Sequence, residues 1–397
     1  MTKHKKKIIF NVANVIKGGA IQAAINFIVI NQKIKPNQFD WYYVLSVEVF
    51  SELEKVGVTL ENNCLVTKSS PAQSRHVKQE ILAFEKSISP QLVFTLFGPC
   101  YVSFKSFHLS GFANGWVTHS TASSFIQTYN YNAFRITKVL LKYLYYAYHI
   151  RKADAWIFET DTARNGFIKR LRVAKKLCTV VANTSINFGS PFAKTNNTII
   201  NNKILYFKDN LIVALAADYP HKNLFSLLKS AKLLKNNLLK EKFKIIFTLD
   251  NDIFSQNFLP YIIENQLQEY IVNIGKVDIA DLSKLYSVAY ASILPSFIET
   301  FSAVYPESFA TSTPVITTDA PFAREICKGA AIYCDPASDI DIADAINTLL
   351  YDKNKYNKLV IEGDKLYQKM LTPTEKYLKY IEVIQSFINT DKAPVVR

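Results

Sequence analysis

Two carboxylates, one lysine, a glycine pair and two histidines are the groups in this chain whose types and spacing could do chemistry. Glu299 and Glu307 are separated by seven residues in the stretch AYASILPSFIETFSAVYPESFATSTPVITT, Ala289 to Thr318. That is about two helical turns, so both carboxylates can face one crevice and meet a cationic or hydroxyl-rich ligand. Lys222, in His221-Lys222-Asn223, is read as opening a helix, where a cation opposes the helix dipole unless a phosphate sits between them. Gly18 and Gly19 follow a strand and open a helix reaching about Gln32. Such a pair exposes backbone N–H groups to a phosphate, although paired glycines serve tight turns at least as often. His108 and His119 lie beyond the strand Gln91 to Phe97 and the punctuating Gly98-Pro99. A lone histidine is more often packed and neutral than catalytic. His108, nearer the strand end, is the preferred candidate, and the choice between the two stays open.

These groups need elements to position them. Tyr290 to Leu294 reads as a buried strand, Pro295-Ser296 closes it, a helix carries Glu307, and Pro314 to Thr317 reads as the next strand. This is one βαβ unit, and open α/β sheets bind ligands beyond the carboxyl ends of parallel strands. Ile8 to Val12, Tyr42 to Val47 and Leu177 to Ala182 are strands of the first half. In the second half, a buried strand precedes His221, and Lys244 to Leu249 and Tyr270 to Ile274 follow. Gly275, Lys276 and Val277 then form a loop at a strand's carboxyl end. Pro373 breaks the chain, and Thr374 to Asn389 is a final helix.

At 397 residues the chain is long enough for two domains. Its five cysteines show no C-x-x-C spacing; they read as reduced thiols, and no structural zinc is implied. The start, MTKHKKKIIFNV, lacks the longer apolar run of a secretory signal, so a cytoplasmic protein is expected. The net charge of +14 is uneven: residues 1–186 hold 24 Lys plus Arg against 10 Asp plus Glu, and residues 187–397 hold 23 against 23. A basic surface suits an anionic partner or simply solubility. No nucleic-acid-binding module is recognisable, and charge alone gives only salt-dependent, non-specific affinity. Residues 134–150, FRITKVLLKYLYYAYHI, place Arg135, Lys138 and Lys142 on one stripe of an apolar helix too short and too charged to span a bilayer. Two readings stay open for it: a core helix with a solvated basic edge, or a face that meets an anionic membrane surface.

Pro295, Ser296, Glu299, Thr300, Phe301, Ser302 and Glu307 together resemble the E-x7-E signature of glycosyltransferase family 4, whose retaining enzymes have the GT-B fold. The resemblance implies an α/β chain of two Rossmann-like domains facing a central cleft: residues 1–186 binding the acceptor, 187–372 binding the nucleotide sugar, and 373–397 a helix packing back on the first domain. It implies a nucleotide diphosphate sugar as donor, an acceptor hydroxyl on a glycan, and no cofactor. The charge split and the Tyr/Lys helix, rather than the resemblance, point to a lipid-linked glycan acceptor, a growing bacterial surface polysaccharide reached from the cytoplasmic face of the membrane; no nucleic acid is expected. Lys222 would hold the donor diphosphate together with Gly18, Gly19 and the amides near Thr300, Phe301 and Ser302. Glu299 would contact the donor sugar, Glu307 the ribose, Gly275 and Val277 the base, and His108 the donor sugar. Two positions depart from the family: Ser302 replaces its usual glycine, and Ala216 replaces an arginine six residues before Lys222. Asp250-Asn251-Asp252 resembles the D-x-D metal site of another glycosyltransferase fold, but carboxylates after a strand more often cap turns and helices, so no metal is assigned. A sugar-nucleotide epimerase and a non-catalytic partner of the same fold are the alternatives.

Overall fold

The computed structural model describes residues 5–36, 38–60, 63–184, 209–236 and 242–389. The expected junction at 186–187 and the polar stretch 194–202 lie outside them. The chain divides into two units.

The first unit gathers the described residues of Met1–His119, Thr137–Asn183 and Leu371–Arg397. Its parallel sheet runs β3-β2-β1-β4-β5-β6-β7, with β1 (Lys6–Val12), β2 (Phe39–Ser46), β3 (Cys64–Thr67), β4 (Leu92–Thr95), β5 (Phe107–Gly111), β6 (Ala155–Phe158) and β7 (Cys178–Val180). All four residues of β4 and of β6 are buried, as expected where helices cover both faces of a parallel sheet. The helix Gly19–Ile34 lays Phe27 on Phe10 of β1, with ring centroids 4.2 Å apart. The helix Pro373–Ile388 joins the same cluster: Tyr377 packs 5.1 Å from Phe27, and Tyr380 lies 5.3 Å from Phe94. Its start is fixed by a capping box between Thr372 and Glu375, which satisfies two otherwise unpaired backbone donors. The Tyr377 hydroxyl donates to Asn31 Oδ1 at 2.6 Å, and Asn31 Nδ2 donates to the Tyr43 hydroxyl at 2.7 Å. A buried amide with both ends satisfied fixes the helix in one register.

The second unit gathers Ser120–Ile136 and the described residues of Thr184–Met370. A segment from the first half of the sequence thus clusters with the second sheet. There the parallel order is β10-β9-β8-β11-β12-β13, with β8 (Asn210–Ala214), β9 (Phe243–Phe247), β10 (Ile271–Asn273), β11 (Ala291–Leu294), β12 (Val315–Thr318) and β13 (Ala331–Cys334). The order reverses between β8 and β11, which pair Ala291 with Ile212 and Ser292 with Val213. In open α/β sheets such a reversal, beyond the carboxyl ends of the strands, is where ligands bind. In the first sheet the same reversal falls between β1 and β4.

Candidate active site

Two loops meet at the reversal in the second sheet. After β8 the chain reaches a 3-10 turn, Pro220–Lys222, and Asn223 adopts a left-handed conformation before the helix Phe225–Asn236 begins. Lys222 therefore stands on a turn ahead of the helix rather than in its first turn, which corrects the sequence expectation. The loop after β11 is held from beneath: Thr317 Oγ1 donates to Leu294 O at 3.0 Å and Thr318 Oγ1 to Ser296 O at 2.7 Å. The Phe297 amide then donates to His221 O at 2.8 Å, tying one loop to the other. Across this junction Lys222 Nζ lies 2.5 Å from Glu299 Oε1, with side chains only 16% and 10% exposed.

At this depth opposite charges interact strongly, and separating them without a replacement partner is costly. Burial pushes the His221 imidazole below its ordinary pKa; Lys222 acts the same way and Glu299 against it. The shift favours the neutral imidazole. Ala216, half-buried on the same loop, brings no charge.

Glu307 lies in the helix Val304–Ala310 and is 2% exposed. Its Oε2 accepts a 3.0 Å hydrogen bond from the Tyr286 hydroxyl. Burial pushes its carboxyl up to about 7, with the Tyr286 bond opposing the rise. The helix is fastened to the sheet by the Ser308 and Ser292 hydroxyls, 2.7 Å apart, and by Tyr305 against Thr317 at 2.9 Å. Glu299 and Glu307 thus take different partners. Thr300 and Phe301 are half-buried and Ser302 is buried. Gly275, with φ of +83°, and half-buried Val277 follow β10. Asp250 accepts from the Asp252 amide at 3.1 Å and pairs with Lys276 at 2.9 Å, so it caps a helix. Among the described residues no group of three or more His, Cys, Asp or Glu side chains could hold a metal.

In the first unit, Gly18 has φ of +70° and precedes the helix Gly19–Ile34, a backbone state that favours glycine. Its loop is anchored by Asn14, whose Nδ2 donates to Phe97 O at 2.7 Å and Pro99 O at 3.0 Å. Asn14 thus joins the loops of β1 and β4 at that sheet's own reversal.

His108 is a correction. It sits inside β5, opposite Val93, 2% exposed, with Nε2 2.8 Å from Thr95 Oγ1. Burial pushes its pKa down to about 3, so it is a neutral core histidine at the amino-terminal half of its strand. His119, beyond the carboxyl end of β5, is half-buried, with Nδ1 2.8 Å from Thr118 Oγ1. The sequence reading also missed Asn14, Tyr286 and the tie from Phe297 to His221. Only an asparagine just after the first strand carried any signal for these.

The fold is GT-B. Over 98% of this chain and all of theirs it superposes on a glycosyltransferase from Rickettsia africae with TM-score 0.72 at 15% identity. With Anabaena HepE in complex with UDP and glucose the TM-score is 0.67 at 15% identity, over 96% of this chain and all of that one. Residues 196–366 match the family described as Glycosyl transferases group 1. The O-antigen chain mannosyltransferase RfbU of Salmonella typhimurium is 26% identical over 192 residues, 45% of this chain and 53% of that relative. The match therefore spans about half of the relative's length.

Proposed function

We propose that the chain is a retaining glycosyltransferase of family 4 that moves a sugar from a nucleotide diphosphate donor to the hydroxyl of a glycan acceptor in bacterial surface polysaccharide assembly. The observation that carries this reading is the half-buried pairing of Lys222 with Glu299 at the reversal of a sheet within the residues matching the glycosyl transferase family. Departure of the sugar adds negative charge to the diphosphate; Lys222 and the amides of Thr300, Phe301 and Ser302 stabilise that charge. Glu299 faces the positive charge developing on the sugar carbon, and Glu307 accepts from the ribose. The acceptor enters from the face the nucleotide leaves, and the departing phosphate takes its proton. RfbU, an O-antigen mannosyltransferase, supports the polysaccharide setting, and the UDP complex of HepE supports a nucleotide-bound donor. In this reading residues 1–186 bind the acceptor, 187–372 the donor, and 373–397 return to the first domain.

The acceptor is lipid-linked and met at an anionic membrane on its cytoplasmic face. The helix Ala133–Ile150 supports this. Its inner face, with Tyr143, Tyr146 and Ala147, packs on a core cluster containing Phe112 and Trp156. Its outer face leaves Phe134 80%, Leu141 63%, Leu144 65% and Tyr148 64% exposed. At 100° per residue these four fall on one stripe, with Arg135, Lys138 and Lys142 along its flank, the pattern of a helix lying in a lipid interface. No helix among the described residues is long and apolar enough to cross a membrane.

The test is a panel of UDP-, GDP-, ADP- and CMP-sugars, followed by thermal shift and sugar release in the parent, Glu299→Ala and Lys222→Ala. Stabilisation by one nucleotide, with release lost in both variants, is expected. A second reading, a non-catalytic partner, draws on Ala216 and Ser302; nucleotide binding without any turnover would favour it.

A further inference from the structure

Glu307 has one carboxylate oxygen engaged before any nucleotide arrives. The Tyr286 hydroxyl donates to its Oε2 at 3.0 Å, and solvent reaches neither residue to any extent, at 0% and 2% exposure. A buried phenol and carboxylate left unpaired would each carry a desolvation penalty, so the bond fixes where the carboxylate points. Tyr286 is itself held, since its backbone oxygen accepts from Thr313 Oγ1 at 3.2 Å. It lies in the helix Ile279–Val288, which begins just after the loop of Gly275. On the other side, the Ser308 hydroxyl lies 2.7 Å from that of Ser292 in β11, which ties the helix carrying Glu307 to the sheet and resists its rotation. The phenol ring alone would fill the same space as phenylalanine. Only the hydroxyl addresses Glu307.

We propose that Tyr286 is a positioning residue for nucleotide recognition: its hydroxyl holds the Glu307 carboxylate in one orientation, leaving the other oxygen to accept a ribose hydroxyl, and couples that contact to the loop at Gly275 through a single helix. The inference rests on Glu307 being a nucleotide-binding residue. It differs from a packing role in a way that substitutions can separate.

The experiment titrates UDP, GDP and ADP by calorimetry into the full chain and its Tyr286→Phe, Glu307→Ala, Glu307→Gln and combined variants, with thermal melts to confirm that each is folded. The nucleotide that binds the parent should bind Tyr286→Phe about five- to twentyfold more weakly. In the Glu307→Ala background Tyr286→Phe should add nothing, because the hydroxyl acts through the carboxylate. In the Glu307→Gln background the single amide oxygen cannot serve both Tyr286 and the ribose, so there too Tyr286→Phe should add little. Parent-like affinity in folded Tyr286→Phe, or the same loss with and without the Glu307 carboxyl, overturns the proposal. Unchanged affinity in Glu307→Ala overturns the role of Glu307 and the proposal with it. Failure of all three nucleotides to bind the parent overturns the donor-site reading itself.

Discussion

The ammonium of Lys222 lies 2.5 Å from a carboxylate oxygen of Glu299, although the two residues are 77 positions apart and belong to loops leaving different strands. The two form an ion pair across the junction of those loops. Glu299→Gln should therefore release Lys222 to phosphate: affinity for the preferred nucleoside diphosphate should rise about threefold to tenfold, while sugar release falls by about 10²-fold or more. Calorimetry and a turnover assay on one preparation read both. Weaker nucleotide binding in Glu299→Gln would show that the pair does not compete with phosphate.

The carboxyl of Glu307 gives a pH signature. Burial raises it from the ordinary 4.5 to about 7, so the folded chain binds more protons than the unfolded chain between these values. The stability this group contributes is full below about pH 4.5, declines as pH rises through 7, and is level above. Urea melts of the parent should lose about 2 to 3 kcal/mol over that window relative to Glu307→Gln. Parallel curves would remove Glu307 as the cause. Nucleotide affinity should move the opposite way, strengthening from pH 6 to 8 as the carboxylate ionises.

His108 separates a core role from a catalytic one. His108→Ala opens a cavity and leaves the Thr95 hydroxyl short of a partner, so stability should fall by about 2 to 4 kcal/mol. Sugar release per folded molecule should stay within about twofold. A hundredfold loss of rate in a stably folded variant would return His108 to the site.

The outer stripe of Ala133–Ile150 predicts salt-sensitive adsorption. Leu141→Ser with Leu144→Ser removes two exposed apolar anchors and should cut binding to vesicles containing anionic phosphatidylglycerol by about tenfold or more, with little change in melting temperature. Lys138→Gln with Lys142→Gln should reduce binding chiefly at low salt. Co-sedimentation reads both. Equal, weak adsorption of parent and variants would leave the stripe without a lipid partner.

Much of the fold was legible because parallel strands buried on both faces write themselves as short apolar runs. Ile8–Val12, Lys244–Leu249 and Tyr290–Leu294 overlap β1, β9 and β11 on that signal alone, and Pro373 and Gly18 punctuate helices as their backbone preferences require. β5 was not legible. Phe107–Gly111 mixes His and Ser into a Gly-flanked stretch, and only pairing with β4 and β6 makes it a strand. That single omission put His108 at a strand end instead of in the core. The residue types at Lys222, Glu299 and Glu307 were fixed by the sequence, because charged groups near strand ends are visible as composition and spacing. Their partners were not, because hydrogen bonds form between loops and helices brought together by sheet order. The pairing of Lys222 with Glu299 needs β8 beside β11, and the bond from Tyr286 to Glu307 needs two helices packed at one depth. The tertiary structure likewise decided that Leu141 and Leu144 face outward, since helical period specifies a stripe but not which side of it the sheet will cover.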